Sequence, residues 1–562
     1  MSRLEVVTHM QLRASRPLSR RQLLGTVAGL GLAVGTGLLA ACTTGAAPVS
    51  PTAASSSSGG GANATPASAP APGGAPTQAA PGTASTAALV IGLSTDPVAL
   101  DTRMSQNTTG VSQIQHILEP LVMLDPANGQ LVGVLAESWE PVPNRGWRLR
   151  LRQGVKFHNG ADFTADDVKY TLESIADPAN TKWVQPTIRG KMGRLKSVDI
   201  EDPHTVVLNT GTFSRAFLTN LVQTSILPAA TARPLAEKFA QNPIGTGPYK
   251  YVEYASGQHL VLQANDQHWR AAPKAKQLEF RILAENATRL AALESGEVML
   301  VDNVPPDAIS RLKARPDLDV AVQTTTRFMH LQMVESHPPF DNPKVRLALN
   351  YAIDKQGIWK SIIGGLGAVQ NAPWPSNMLG FNDQLQPFAY DPEKAKQLLS
   401  EAGVANLTIK YGGSTGRYLN DKLVSEAILT QLGKVGIQAE PDIREFGSFF
   451  QNVFDRKYDV FLLGYSYGGL DPENGREFWY SKSSLADYKN PQVDNLFDQG
   501  DALTDQNQAA PLYKELAGIL WNDVPYAWLY FQPAITGVNK KLQGWTARSD
   551  EVLLFWNAAV GG

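Results

Sequence analysis

This sequence has almost no cysteine and almost no net charge. One cysteine occurs in 562 residues, and 50 Lys and Arg against 52 Asp and Glu leave a net charge of −2. A single thiol excludes a disulfide framework and a thiolate metal cluster. Near-neutrality excludes a strongly basic nucleic-acid binder. The length corresponds to about three to four domains, with ample chain to form hydrophobic cores.

The charged side chains are distributed unevenly along the chain. Residues 1–41 carry a net charge of +4, residues 42–86 carry no charged side chain, and the remaining 476 residues carry −6. Residues 25–41 form an uncharged, Gly-rich apolar run that is shorter than the roughly 20 residues of a membrane-spanning helix. A basic segment followed by such a run and by small residues predicts a signal peptide over residues 1–41.

The single cysteine stands directly after the apolar run. The stretch 39–42, Leu-Ala-Ala-Cys, resembles a bacterial lipobox, in which the cysteine, here Cys42, is lipidated and becomes the first residue of the mature protein. The stretch 19–24, with Arg20 and Arg21, also resembles a twin-arginine export motif, although Leu23 stands where Phe is usual. General export and a plain N-terminal membrane helix with an incidental cysteine are the alternatives.

Residues 42–86 have the composition of a linker, since they consist almost entirely of Ala, Ser, Thr, Gly and Pro. They offer little apolar surface to bury, so the entropy lost on ordering cannot be offset. We expect a flexible, disordered tether that holds a folded body away from a membrane.

The folded body begins near Leu89, and all 11 Trp lie beyond residue 130. Helix start signals occur at Thr164, Asn342 and Asp391, the last two followed by Pro. The run 407–443 has the pattern strand, helix, strand, which predicts a parallel pair joined by a right-handed crossover. The sequence therefore predicts a mixed α/β body, without a second apolar segment long enough to span a bilayer.

Six stretches of this body carry a resemblance to one known family. They are LAESWE (135–140), RLRLRQGVKFHNGADFTADDVKYTLE (148–173), IGTGPYK (244–250), LESGEV (293–298), PPFDNPKVRLALNYAIDK (338–355) and YDPEKAKQLLSEAG (390–403). Together they resemble the extracytoplasmic solute-binding proteins of family 5, which serve peptide, nickel and related ABC importers. The resemblance implies a receptor that captures a small polar solute and presents it to a permease, without enzymatic activity and without a cofactor.

The resemblance also implies the fold, an α/β two-lobed periplasmic-binding-protein-like clamshell of type II with an extra N-terminal subdomain. Lobe I would comprise residues 87–128, 212–304 and 525–562, lobe II residues 305–524, and the inserted subdomain residues 129–211. Two crossovers would form a hinge, and the ligand would be enclosed between the lobes. The implied partners are the permease transmembrane subunits, the solute and, through the lipid anchor, the membrane, with no nucleic acid and a monomeric receptor.

Two segments correspond to ligand-contacting parts of the family. The segment after the first strand corresponds to Gln106, Asn107 and Thr108, which could equally be a solvated helix cap. The strand that follows Tyr-Asp-Val at 458–460 ends in Gly464, Tyr465, Ser466, Tyr467 and Gly468. A glycine there would let a ligand backbone approach closely.

Further candidates are more isolated in the sequence. Asp302 and Asn303, at the presumed first crossover, could contact the ligand or cap the hinge. Phe328 and His330 lie on one face of a predicted strand, and Trp374 lies in a loop rich in Pro and Asn. Each aromatic ring could also belong to the core.

Gly468 departs from the pattern of the peptide-binding members. In these members, an Asp at the corresponding place meets the ammonium group of the ligand. It stands about three residues before an acidic residue and a Pro, which are Asp471 and Pro472 here. Asp471 is a further candidate ligand contact, although this second acidic position usually forms a turn or cap. Because a buried ammonium needs a charged partner, the sequence leaves a free peptide N-terminus without an obvious counter-ion. Tyr465, Tyr467 and Trp374 suit a neutral oligosaccharide, so oligopeptide and oligosaccharide both stay open.

Two other functions follow from short patterns. Residues 412–416 match G-x-S-x-G, the nucleophile elbow of esterases, with Ser414 as the nucleophile of a serine hydrolase, but the pattern alone supplies no Asp–His partners. A binder of a chelated metal such as nickel is the second alternative. None of the seven His beyond residue 86 forms an i, i+4 pair, so His330 would act as a lone contact in the cleft.

Overall fold

A computed structural model describes residues 88–561, except positions 98, 106, 128, 181–182, 405 and 484–485. The predicted signal peptide with Arg20 and Arg21, the tether, Cys42 and Gln106 lie outside the described residues. Within the described ranges, every helix is too short or too polar for a bilayer crossing.

The strands of the described chain are β1 (Leu89–Leu93), β2 (Val122–Leu124), β3 (Leu131–Gly133), β4 (Ala136–Val142), β5 (Gly146–Leu151), β6 (Ser197–Asp202), β7 (Thr205–Asn209), β8 (Tyr249–Ala255), β9 (His259–Ala264), β10 (Gln277–Ile282), β11 (Leu300–Val301), β12 (Leu318–Gln323), β13 (Arg327–Met333), β14 (Ala368–Val369), β15 (Leu407–Thr415), β16 (Ile437–Glu445), β17 (Val460–Ser466), β18 (Tyr526–Phe531), β19 (Ala534–Asn539), β20 (Leu542–Gln543) and β21 (Ala559–Val560). The helices are α1 (Thr108–Ile117), α2 (Ala165–Ala176), α3 (Pro186–Lys191), α4 (Phe217–Asn220), α5 (Ala229–Leu235), α6 (Asn286–Ser295), α7 (Ile309–Lys313), α8 (Pro343–Ala352), α9 (Lys355–Ser361), α10 (Pro392–Glu401), α11 (Asp421–Lys434), α12 (Phe446–Phe454), α13 (Arg476–Trp479), α14 (Pro491–Ala502) and α15 (Gln506–Asp523).

Two large sheets organise these elements. The first has seven strands in the order β12-β19-β11-β1-β10-β9-β8, and the second has six in the order β14-β18-β13-β17-β15-β16. A separate four-stranded antiparallel sheet, β4-β5-β7-β6, is formed by residues 136–209. We call the part that contains the seven-stranded and four-stranded sheets the first lobe, and the part built on the six-stranded sheet the second lobe.

Helices and strands form where the local signals in the sequence predict them. Helix α2 begins after Thr164, whose backbone N–H donates to Asp167 at 2.8 Å. Helices α8 and α10 begin at their prolines, capped by the side chains of Asn342 and Asp391. Strands β15 and β16 pair in parallel on either side of α11, as predicted.

Residues 147–157 alternate apolar and basic side chains, a pattern that predicts a pair of strands with one solvated face. The first strand, β5, ends at Leu151. Gly154 then adopts a φ of +73°, which turns the chain out of the sheet, and only an isolated bridge from Lys156 to Asp162 follows. Sequence alternation does not report where such a turn interrupts a strand.

The chain crosses between the two sheets at two points, residues 324–326 and residues 532–533. Hydrogen bonds tie the crossovers together, from the Thr325 hydroxyl to the Gln532 carbonyl oxygen at 2.6 Å and from the Gln532 N–H to the Arg327 carbonyl oxygen at 2.9 Å. Both differ from the predicted segment boundaries, because β12 pairs with β19 in the first lobe and β18 pairs with β13 in the second. The pairing partner of each strand, and not its local sequence, decides the lobe to which it belongs.

Two glycines explain the IGTGPYK stretch. Gly245 and Gly247 pass directly against the last turn of α1, and the Gly247 N–H donates to the Ile117 carbonyl oxygen at 2.9 Å. A Cβ atom on Gly247 would lie 2.5 Å from the carbonyl oxygen of His116. These are backbone atoms of a helix, so they cannot move aside as a flexible side chain would.

We expect Gly247→Ala to lower the free energy of unfolding by about 3 kcal/mol, because the new methyl group overpacks against fixed backbone. The matched control is Gly433→Ala in α11, where an added Cβ has open space around it and should stabilise the helix by up to about 1 kcal/mol. Urea denaturation followed by circular dichroism measures both. Equal effects of the two substitutions would contradict the close-approach argument.

Candidate functional site

A cavity of about 100 Å³ lies between the two lobes. The first lobe lines it with Asn107, Thr108, Gln185, Thr187, Lys191 and Gln223. The second lobe lines it with Arg327, Arg417, Tyr418, Phe446, Phe450, Leu463, Gly464, Tyr465, Ser466, Glu477 and Phe478. We call this space the inter-lobe cavity. Its two walls belong to different lobes, so a ligand held there would contact both of them.

Five of the predicted ligand residues lie on the walls of this cavity, namely Asn107, Thr108, Gly464, Tyr465 and Ser466. Asn107 is also the cap of α1, since its side chain accepts the Gly110 N–H at 2.6 Å. The space next to Gly464 is already filled, because a Cβ atom there would clash with Tyr418 and with the Met329 sulfur. Side chains of the second lobe therefore occupy the space next to Gly464 where the sequence predicted a ligand backbone.

Four other predicted residues, Phe328, His330, Trp374 and Tyr467, lie instead in the core of the second lobe, where all four are buried. Phe328 packs against His330, Tyr465, Tyr467, Trp479 and Trp528. His330 stacks on Tyr526 with ring centroids 4.3 Å apart, and burial lowers its pKa to about 3. The prediction that these rings face the cleft is corrected. Phe328 and His330 lie on β13, a central strand that is buried along its whole length, and Trp374 and Tyr467 are buried in the same core. His330 is thus not the lone cleft contact on which the nickel alternative rests.

Gly468 and Asp471 follow β17 in the chain and are not among the residues that line the cavity. A Cβ atom on Gly468 would lie 3.9 Å from Val222 and from Gln223, so this backbone faces the first lobe. Asp471 is buried, accepts the Glu473 N–H at 3.0 Å and forms an ion pair with Arg215. Its carboxylate is therefore occupied by a turn and by a cation of the first lobe, which corrects its assignment as a ligand contact.

Asp302 and Asn303 lie beside the crossovers. Asp302 accepts the backbone N–H and the hydroxyl of Ser94, both at 2.8 Å. The Asn303 side chain donates to the Ser94 hydroxyl at 2.8 Å and to the Arg417 carbonyl oxygen at 3.2 Å. They line a second cavity of about 50 Å³. The bond from Asn303 to Arg417 crosses between the lobes, whereas the bonds to Ser94 stay within the first lobe.

Two arginines of the second lobe, Arg327 and Arg417, also line the inter-lobe cavity, although neither is among the ligand residues predicted from the sequence. Arg327 pairs with Glu551 of the first lobe at 2.9 Å and donates to the Gly464 carbonyl oxygen at 3.3 Å. Arg417 is only 7% exposed and donates to the Thr108 hydroxyl at 3.4 Å, and its Nε has no hydrogen-bond partner among the described residues. The described carboxylates all lie more than 4.0 Å from its guanidinium, whose pKa is lowered by burial and by the neighbouring Arg327.

Arg417 is held in place by the motif that resembled a nucleophile elbow. Ser414 is fully buried in β15 and donates its hydroxyl to Asp421 at 3.0 Å. Asp421 also accepts the backbone N–H groups of Gly416, Arg417 and Tyr418 at 3.0 to 3.1 Å. The serine and the aspartate therefore shape the loop that carries Arg417, and Ser414 is not displayed to a substrate as a nucleophile would be. A signal was present in the sequence, since an Arg directly after this loop stands at the end of a parallel strand, where ligands bind in α/β sheets.

Glu477 and Lys191 face the same cavity from opposite lobes. The Lys191 ammonium donates to the Gln223 side-chain oxygen at 2.9 Å, and burial lowers its pKa. Glu477 is 6% exposed, with Oε1 3.2 Å from the Tyr465 hydroxyl, and burial raises the pKa of Glu477 to about 7. The cavity thus contains two arginines, one lysine and one acid, which together favour an anionic group on a ligand.

Beyond this cavity, a cluster of ion pairs joins the lobes. Arg194 and Arg215 of the first lobe meet four acids of the second lobe, Asp471, Glu473, Asp498 and Asp501. Arg476 of the second lobe pairs with Glu473 at 2.9 Å and with Asp498. Burial and the nearby Asp501 raise the pKa of Glu473 to about 8. We call this cluster the inter-lobe clasp.

Comparison with known protein families confirms the family that the six sequence blocks resemble. Residues 130–487 match the family described as "Bacterial extracellular solute-binding proteins, family 5 Middle". The chain is 27% identical over 495 residues to "Heme-binding protein A" of Haemophilus influenzae, which covers 81% of this chain and 89% of that protein. It is 28% identical over 447 residues to "Glutathione-binding protein GsiB" of Pectobacterium atrosepticum, which covers 76% and 86% respectively.

A solved structure shares the fold. The ABC transporter-associated periplasmic binding protein DppA from Helicobacter pylori, in complex with the peptide STSA, superposes with a TM-score of 0.80 at 24% identity. The match covers 85% of this chain and 98% of that one. It confirms the predicted fold class, an α/β two-lobed clamshell of the periplasmic-binding-protein kind.

We predict that Arg215→Met lowers the free energy of unfolding by about 3 kcal/mol, because it leaves the buried Asp471 without its cation. Arg215→Met combined with Asp471→Leu removes both charges and should recover most of this loss. A double-mutant cycle from urea denaturation measures the coupling. If the double variant loses the sum of the two single losses, the pair does not stabilise the contact between the lobes.

Proposed function

Because this chain belongs to family 5 of the bacterial extracellular solute-binding proteins, as its sequence blocks predicted, we propose that the solute it captures for an ABC importer carries a carboxylate group. Arg417 binds this carboxylate in the inter-lobe cavity. Small peptides are the class of solute that fits this chemistry best.

The single observation that carries the proposal is the buried guanidinium of Arg417. Among the residues that the structure describes, it has no carboxylate within 4.0 Å, and it lies next to a second cation, Arg327. A buried charge without a partner costs several kcal/mol. A ligand carboxylate would offset this cost and form the strong, charge-assisted hydrogen bonds that guanidinium groups favour.

The position of Arg417 couples binding to closure. Its loop belongs to the second lobe, while Thr108 of the first lobe accepts hydrogen bonds from both Arg327 and Arg417. A ligand that contacts the lining of both lobes stabilises the closed arrangement over an open one, which is how a hinge protein reports occupancy to a partner. The permease subunits of the importer would receive this closed form.

A peptide fits the cavity better than the neutral oligosaccharide of the sequence analysis. Tyr465 lines the cavity, but Tyr467 and Trp374 lie in the aromatic core and offer no free face for stacking. The cavity wall instead carries charges, which neutral sugars do not need. The relative named for glutathione supports this choice, because glutathione is a small peptide with carboxylate groups.

The proposal also includes a lipid anchor at Cys42. The sole cysteine of the chain directly follows Leu39, Ala40 and Ala41, the order that a lipobox requires. The uncharged segment 43–86 would then tether the two lobes to the outer face of the membrane, near the permease. This placement agrees with the extracytoplasmic location of the family.

Replacing Arg417 tests the proposed ligand class. We expect Arg417→Met to weaken the binding of di- and tripeptides by about 100-fold, or roughly 2.7 kcal/mol, because one charge-assisted interaction is lost. Isothermal titration calorimetry with a panel of such peptides measures the change. The matched control is Arg444→Met, which removes an exposed arginine of β16 that pairs with Asp442.

The same panel with C-terminal amides separates the carboxylate from the rest of the peptide. The natural chain should discriminate against the amides, and Arg417→Met should bind acids and amides equally. Equal affinities of the natural chain for acids and amides would exclude carboxylate recognition.

For the anchor, we expect Cys42→Ser to abolish labelling by a fatty-acid probe and to release the protein from the membrane fraction. Cell fractionation with an immunoblot measures the distribution. Unchanged lipid labelling of the Cys42→Ser chain would show that the anchor is attached elsewhere.

A further inference from the structure

The wall of the inter-lobe cavity changes character from one lobe to the other. The first lobe contributes polar side chains, whereas the second lobe adds an apolar patch that consists of Phe446, Phe450, Leu463 and Phe478. A carboxylate bound at Arg417 accounts for none of these four residues. Because a purely polar ligand would leave their apolar surface uncovered, the patch favours an apolar group on the ligand.

Helix α12 supplies two of the rings in this patch. Phe446 and Phe450 are one helical turn apart, and their rings stack with centroids 5.2 Å apart and an angle of 17° between the planes. Phe449 turns instead into the core of the second lobe, where it packs against Tyr458 and Phe461. Phe449 thus anchors the helix in the core, whereas Phe450 is only partly buried and lines the cavity.

The paired strands β15 and β16 bring this patch next to Arg417. They run in parallel and stay in register up to Thr415 and Glu445, the last residue of each strand. Arg417 and Phe446 therefore leave the sheet at the same edge, and the guanidinium carbon lies 5.6 Å from the centre of the Phe446 ring. The Glu445 carboxylate fixes the start of α12, since it accepts the Gly447 N–H at 2.9 Å. A group bound at Arg417 thus has the first ring of α12 at its side.

We infer that Phe446 and Phe450 form an apolar subsite that binds the side chain of the residue whose carboxylate Arg417 receives. This inference rests on the proposed function and extends it, because it makes the preferred solute a peptide with a large apolar or aromatic C-terminal residue. The side chain of that residue is attached to the carbon that bears the carboxylate, so the C-terminal position brings it to the patch. Contact between the two removes apolar surface of both from water, and an aromatic side chain also gains from ring-to-ring contact.

The test compares the dipeptides Ala-Phe, Phe-Ala and Ala-Ala by isothermal titration calorimetry. Ala-Phe and Phe-Ala have the same composition, so they differ only in where the ring lies relative to the free carboxylate. We expect the natural chain to bind Ala-Phe at least about 10-fold more tightly than either of the others, the range of one apolar side chain removed from water. Equal affinities for Ala-Phe and Phe-Ala, or tighter binding of Phe-Ala, would overturn the subsite.

Substitutions in α12 show which ring is responsible. Phe450→Ala removes a partly buried ring, which the fold should tolerate, and we expect it to bind Ala-Phe about 10-fold more weakly and Ala-Ala as the natural chain does. Phe450→Leu keeps an apolar side chain and should retain most of the preference. The matched control is Phe454→Ala, which removes the next ring of the same helix, 4.7 Å from Phe450. Phe454 is not among the residues that line the cavity, so this variant should keep the preference.

The outcomes separate this inference from the proposed function. Ala-Ala and its C-terminal amide report on Arg417 alone, because Ala-Ala has no ring for the subsite. Discrimination between this acid and its amide without a preference for Ala-Phe overturns the subsite and leaves carboxylate recognition standing. An equal loss of affinity for Ala-Phe and Ala-Ala in Phe450→Ala also overturns the subsite, because Phe450 then supports the cavity wall only. Failure of the natural chain to bind any of the three dipeptides overturns the proposed function and this inference together.

Discussion

The ligand chemistry of this protein depends on a buried guanidinium that the surrounding residues hold but do not neutralise. In the described part of the chain, Arg417 has a hydroxyl, two aromatic rings and a second arginine around it, and no carboxylate at ion-pair distance. Its loop is kept in shape by Asp421, which accepts three backbone N–H groups and the Ser414 hydroxyl. A rigid, unpaired cation between two lobes is costly in the absence of an anion, and the solute would offset that cost.

The remaining polar contacts between the lobes have the opposite character, because they are paired. Arg327 meets Glu551, and Arg215 meets Asp471, so these charges compensate one another when the lobes are in contact. The clasp and the crossovers both connect residues far apart in the sequence. A structure of this kind gains specificity from the unpaired Arg417 in the cavity and stability of the closed arrangement from the charges that are paired across the lobes.

Much of the fold was predictable from local patterns. The caps at Thr164, Asn342 and Asp391 and the strand–helix–strand run at 407–443 depend on a few neighbouring residues, and the structure confirms them. The site was less predictable. Asn107, Thr108, Tyr465 and Ser466 reach the cavity, but Phe328, His330, Trp374 and Tyr467 are covered by other strands. Whether an aromatic ring on a strand faces a cleft or a core depends on which other elements pack over it. The sequence of that strand alone does not show these elements.

The sequence by itself determined the family, the mixed α/β class and the first residues of α2, α8 and α10, because these follow from residue order over short distances. It also predicted a lipid anchor at Cys42 and, through the family resemblance, a missing acid at Gly468. Only the tertiary structure decided that Arg417 and Glu477 face one cavity, that Asp471 is used by Arg215 and that Ser414 supports a loop. The assignments of Arg417, Glu477 and Asp471 depend on segments 60 to more than 250 residues apart in the chain, whereas Ser414 and Asp421 are only seven residues apart. The physical reason is that burial and charge pairing are properties of neighbours in space.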